Sequence, residues 1–145
     1  KYNEMHNPKT NMNAIKAILH NKVLYNLLKN SDYKYDMVVI DQFVYKDKYY
    51  EYLSNTKEIV QNISFTTKAE DKCLSVGCSS IISRYIFLQK IDELSKELKI
   101  KIPLGAGVEV DKVGKQIVDT YNKDKLKSVA KLNFRNTEKI LNKSI

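Results

Sequence analysis

From Ser75 to Leu98 the apolar residues return every three or four positions, and Cys78, Ile82, Tyr85, Leu88, Ile91, Leu94 and Leu98 fall on one face. This is the strongest helical period in the chain. A helix with one apolar face must bury that face against another element, so the segments around it decide the fold class. Met37-Val38-Val39-Ile40 is a short β-branched run that reads as a buried strand, and Asn62 to Thr67 forms a second candidate strand. A further helix is expected from Asn11, its N-cap, with Met12, Ile15, Leu19, Val23 and Leu27 as the apolar stripe. It should end at Asn30-Ser31-Asp32. Tyr49 to Leu53 reads as a short helix, residues 1–10 as a lead-in loop, and two shorter helices fill the remainder after Pro103. Strand, helix, strand and helix in alternation argue for an α/β domain.

The 145 residues suit one domain with a core, and an apolar share of 43% excludes a disordered class. No apolar run approaches the roughly twenty residues of a membrane helix. The start, Lys1-Tyr2-Asn3-Glu4, has neither a signal-peptide core nor an initiator Met, so the true N-terminus is expected upstream. The net charge of +8 fits a polyanion partner, although many of the lysines are also explained as solvated surface. Cys73 and Cys78 match no zinc spacing and read as reduced, mostly buried thiols of a cytoplasmic protein.

Asp41 follows the first strand directly. Ligands in open α/β sheets gather at the carboxyl ends of strands, but an Asp there also caps turns, and both readings stand. Thr67-Lys68-Ala69-Glu70-Asp71 lies between the second strand and the long helix. Its two acids either favour a helix N-terminus or converge with Asp41 on Mg²⁺, which takes a few carboxylates plus water and phosphate oxygens. Gly105-Ala106-Gly107 allows close approach to a phosphate or a tight turn. Asn13, Lys16 and His20 make a polar row on the first helix, which reads as a solvated face, and the lone His20 reads as structural rather than catalytic, with no serine or cysteine paired to it.

Five segments, in order, resemble ribonuclease HIII, a relative of ribonuclease HII. They are Tyr2-Asn3-Glu4 with Asn11-Met12-Asn13-Ala14-Ile15-Lys16-Ala17 and Leu19-His20-Asn21; Ile40-Asp41-Gln42-Phe43; Thr67-Lys68-Ala69-Glu70 with Ser75-Val76 and Ser79-Ser80-Ile81-Ile82-Ser83-Arg84-Tyr85; Pro103-Leu104-Gly105-Ala106-Gly107; and Lys131-Leu132-Asn133-Phe134-Arg135-Asn136-Thr137. Asp41-Gln42-Phe43 and Lys68-Ala69-Glu70 favour type HIII over type HII.

The resemblance implies a ribonuclease H-like mixed sheet flanked by helices, with residues 1–145 as the C-terminal larger part of the catalytic domain and its first strands absent from this sequence. It implies cleavage of RNA in RNA–DNA hybrids with Mg²⁺ or Mn²⁺, by a protein that is a cytoplasmic monomer when complete. Four acids form the family's site. Asp41 matches the third and Glu70 the fourth, with Asp71 as a one-residue-shift alternative. The first two, an Asp-Glu pair, have no counterpart here, so the chain alone is expected to be inactive. Lys68, Ser80 and Arg84, with Lys16 and His20, are implied substrate contacts. The alternative from another class is a non-catalytic basic domain of the same fold that binds nucleic acid.

Overall fold

The computed structural model describes residues 2–6, 10–30, 32 and 34–142. The chain forms two compact units, residues 5–83 and residues 1–4 with 84–145. The boundary falls inside one long helix.

The first unit is built on β1 (Val38–Asp41) and β2 (Ile63–Thr66), which pair in parallel with Val38 opposite Ile63 and Asp41 opposite Thr66. Parallel neighbours need a crossover rather than a hairpin, and α3 (Lys46–Tyr52) occupies that connection. The strands bury Val38, Ile40 and Ile63 with Tyr49, Leu53 and Val60. Tyr49 is fully buried and packs edge-on against Phe43, Tyr50 and Phe65. Its hydroxyl has no hydrogen-bond partner among the described residues, and burial pushes its pKa up to about 12.

The first long helix, α2 (Met12–Lys29), starts as expected: Asn11 accepts a hydrogen bond from Ala14 N–H at 2.9 Å. Its buried face is not the expected stripe. Leu19, Val23 and Leu27 are exposed, whereas Ala14, Ile15, Ala17 and Asn21 are buried and Ile18, Leu24 and Leu28 pack on the core. The reason is Asn21. Its amide donates to Glu58 O at 2.7 Å and accepts from Val60 N–H at 2.9 Å, so a polar side chain is satisfied at the centre of the packed row. Of the expected helix end, Asn30 is the C-cap; Ser31 lies outside the described residues.

After β2 comes the one-turn helix α4 (Ala69–Lys72), then α5 (Leu74–Leu98). Only the last turns of α5 are covered as the spacing predicts: Leu98 is 1% exposed, whereas Ile82 is 58% and Tyr85 62% exposed. Cys78 is also exposed, contrary to the buried thiol expected; both cysteines are free.

The second unit packs α6 (Val108–Thr120), α7 (Lys123–Val129) and α8 (Arg135–Asn142) around Leu98, Ile100, Ile117, Leu126 and Ile140. That is three helices after Pro103 where two were expected, because Asn122 caps a separate α7 by accepting from Lys125 N–H at 2.8 Å. Gly114 lets α6 and α8 touch; a Cβ there would collide with Ile140 Cδ1. The expected lead-in loop instead begins with α1 (Tyr2–Met5). Asn3 on it donates to Lys127 O and Ala130 O and accepts from Leu132 N–H. Pro8 lies outside the described residues.

Candidate metal and nucleic-acid site

Asp41 is the last residue of β1 and is exposed, at the carboxyl end of a parallel pair. The chain turns at once, with Phe43 N–H donating to Asp41 O and Gln42 N–H to Thr66 O, both at 3.0 Å. The carboxylate is held from the other strand's exit: Asp41 Oδ1 accepts from Ala69 N–H at 3.2 Å. Ala69 is fully buried and immediately precedes Glu70. Asp41 is thereby tied to Ala69, 28 positions on, at the start of the turn that carries Glu70 and Asp71. Asp41 Oδ2 makes no hydrogen bond among the described residues.

The turn that brings Glu70 there is strained. Lys68 adopts the left-handed region at φ 53°, which typically costs on the order of 1 kcal/mol in a residue with a Cβ. This conformation reverses the chain between Thr66 and Ala69. Glu70, Asp71 and Lys68 are all exposed. Gly77 on α5 allows close passage here, since a Cβ would come within 3.2 Å of Glu70 O. Glu70 and Asp71 lie in the first turn of α4, so the capping reading survives beside the ligand reading.

Lys16 and His20 gather on the ring of Phe43, two residues after Asp41. Lys16 Nζ lies 5.5 Å from the centre of the Phe43 ring, and the His20 ring lies 5.3 Å from it at 57°. Lys16 and His20 are one turn apart on α2. Partial burial lowers the His20 pKa from its ordinary value, the Lys16 charge lowers it further, and Asp41 opposes both. Water still reaches the ring and screens these effects. Phe43 is the residue sequence reasoning passed over; it stood in the Asp41-Gln42-Phe43 segment, but its link to α2 is tertiary.

Ser80 and Arg84 are exposed on α5. Ser80 belongs to the first unit and Arg84 to the second, where its guanidinium lies 5.5 Å from the Phe87 ring. The second unit also holds an apolar cavity of about 350 Å³ bounded by Leu94, Ile102, Val113, Ile117 and Phe134. No acid, His or Cys lines it, so it offers packing space and no ligand for a metal. Among the described residues no cluster of three or more metal-ligating side chains forms.

An exposed carboxylate thus stands at a strand's carboxyl end with a lysine turn following the paired strand, and the comparisons with known proteins define the class. The chain belongs to the ribonuclease HII family, whose model matches residues 1–137. Curated relatives within that class include ribonucleases of type HIII. The chain is 42% identical to ribonuclease HIII of Bacillus cereus over 97% of its own length and 46% of the relative's. It matches ribonuclease HIII of Listeria monocytogenes with the same identity and coverage. Among solved structures it matches Bst-RNase HIII in complex with Mn²⁺, with a TM-score of 0.92 and 33% identity over 99% of this chain and 47% of that one. The expected resemblance and α/β class are thus borne out; the chain's own sheet is one parallel pair. The chain spans about half the length of the curated relatives it matches.

Proposed function

We propose that the protein carrying this chain is an endoribonuclease that cuts the RNA strand of RNA–DNA hybrids, and that residues 1–145 are the C-terminal larger part of one ribonuclease H-like catalytic domain. The observation that carries this reading is the tie between Asp41 and the Ala69 N–H beside Glu70. It ties Asp41 to the segment that leads into Glu70, and these two acids are the ones the resemblance matches to the family's third and fourth. The HIII names of the relatives favour type HIII over type HII.

The donors fit a hard divalent cation. Asp41 is exposed and has an unengaged Oδ2, and Mg²⁺ and Mn²⁺ prefer carboxylate and water oxygens. The Mn²⁺ complex of Bst-RNase HIII supports the same choice. Asp41 and Glu70 are the ligands proposed, with Asp71 as the alternative to Glu70. A pair of bound Mg²⁺ or Mn²⁺ ions would supply an activated water and stabilise the leaving 3′-oxygen. The Ala69 N–H orients the Asp41 carboxylate. Lys68, on its fixed turn, offers a cation to the backbone phosphates near the acids, with Lys16, His20, Ser80 and Arg84 as further contacts; RNA is selected through its 2′-OH and the hybrid's groove shape.

Asp41 and Glu70 are two of four acids in this reading, and an upstream Asp-Glu pair completes the two-ion site. The chain by itself then binds hybrid through its +8 charge without cutting it. A cytoplasmic monomer is the form proposed for the complete protein; the two free cysteines are in keeping with a reducing compartment. The test is a substrate panel with the whole protein in Mg²⁺ and Mn²⁺: labelled hybrid, single-stranded RNA and duplex DNA. Cleavage confined to the RNA of the hybrid is expected. Binding to the hybrid without cleavage in either metal would instead favour a non-catalytic binding domain.

A further inference from the structure

Phe43 has two sets of neighbours with different chemistry. On one side its ring meets Tyr49, fully buried in the core, at 6.3 Å and 68°. On another it meets the Lys16 ammonium at 5.5 Å and the His20 ring at 5.3 Å. Its backbone N–H donates to Asp41 O at 3.0 Å, which fixes the main chain of Phe43 in the turn that follows Asp41. Lys16 has no carboxylate within ion-pair distance among the described residues. Lys48 contrasts with it: that lysine also lies over an aromatic ring, Tyr52, but is neutralised by Glu51. An unpaired lysine on a solvated helix would ordinarily sample many rotamers. An aromatic face restricts it, because the ring quadrupole attracts the ammonium.

We propose that Phe43 is a positioning residue: anchored on the core and tied to Asp41, it holds Lys16 and His20 beside the acid corner to receive the sugar–phosphate backbone of the bound strand. This rests on the functional reading above and adds a part to it. Lys16 supplies the point charge for a phosphate, and the His20 ring nitrogens supply a hydrogen bond at the same place. Phe43 itself touches no reacting atom. Its contribution is to binding in a fixed register, and so to KM rather than kcat.

The experiment uses the whole protein with labelled hybrid in Mn²⁺ and measures kcat, KM and the salt dependence of KM. Phe43→Leu, which keeps an apolar side chain but removes the ring face, should raise KM roughly three-fold and leave kcat within about two-fold. Phe43→Tyr, which keeps the ring, should stay near wild type and so controls for folding. Lys16→Ala should raise KM and lower the log–log salt slope by about one. Adding Phe43→Leu to Lys16→Ala should cost less than the product of the two single effects, because both act through one contact. Multiplicative effects, an unchanged KM in Phe43→Leu, or a KM effect in Phe43→Tyr as large as in Phe43→Leu would overturn the proposal and leave the nuclease reading standing. No hybrid cleavage by the wild-type protein would overturn both.

Discussion

The two units divide the work differently. In the unit of residues 5–83, polar groups are buried or tied near the strand ends: Asn21 pins the approach to β2, Ala69 N–H donates to Asp41, and Lys16 and His20 lie against the Phe43 ring. In the unit of residues 84–142, polar groups close the helical packing. Tyr121 OH donates to Leu98 O at 2.7 Å, Ser95 Oγ accepts from Ile102 N–H at 3.0 Å, and Asn136 Nδ2 donates to Ala106 O at 3.0 Å. The first unit arranges charge at its surface, and the second arranges volume. Substitutions should therefore separate: charge changes in the first unit act on cleavage, and volume changes in the second act on stability.

The largest separation is expected from Asp41→Asn in the whole protein. The amide preserves the shape and can still accept from Ala69 N–H, but it loses the charge that holds a cation. Hybrid cleavage should fall by on the order of 100-fold or more with the thermal midpoint little changed. Cleavage within two-fold of wild type across a Mg²⁺ titration would remove Asp41 from the ligand set.

Next come two stability effects, one per unit. Asn21→Leu strands Glu58 O and Val60 N–H, and should cost about 2–4 kcal/mol by denaturant unfolding. Gly114→Val drives side-chain carbon into Ile140 and should cost about 1–3 kcal/mol through overpacking. Under conditions where Gly114→Val remains folded, its kcat should match wild type. A loss of kcat in a fully folded Gly114→Val protein would break the contrast between the units.

Legibility in the sequence follows the same line. The N-cap at Asn11, both strands and the long helix were readable because each depends on neighbours in the chain: a capping side chain, a β-branched run, a three-to-four repeat. The α2 stripe was not, because the helical repeat admits two rows through Ile15, and the choice fell to Asn21, whose partners lie 37 and 39 positions away. Asp41 and Glu70 were singled out as acids flanking strand ends. What no local pattern could give was the Ala69 N–H donating to Asp41, or Phe43 reaching back to α2.

A smaller effect sharpens the reading of that corner. His20 should titrate below its ordinary 6.5 when followed by its ring resonances, in chelator. Asp41→Asn should lower it further by removing the charge that raises it, and Lys16→Ala should raise it. The sign for stability follows: the unfolded chain takes up the proton first. His20 is neutral in both states well above pH 6.5, and stability declines as the pH falls from there through the folded pKa. A His20 that titrates above 6.5, or that ignores both substitutions, would separate it from the Asp41 corner.

The most direct test of the central claim, that this chain contributes two of the four acids of a hybrid-cutting site, is complementation. The purified 145-residue chain is incubated with a labelled RNA–DNA hybrid and Mn²⁺, with and without a polypeptide that supplies the proposed Asp-Glu pair. The account predicts salt-sensitive binding without cleavage by the chain alone, and cleavage of the RNA strand once a polypeptide that supplies the proposed Asp-Glu pair is added. Robust cleavage by the chain alone would contradict it, because Asp41 and Glu70 would then suffice.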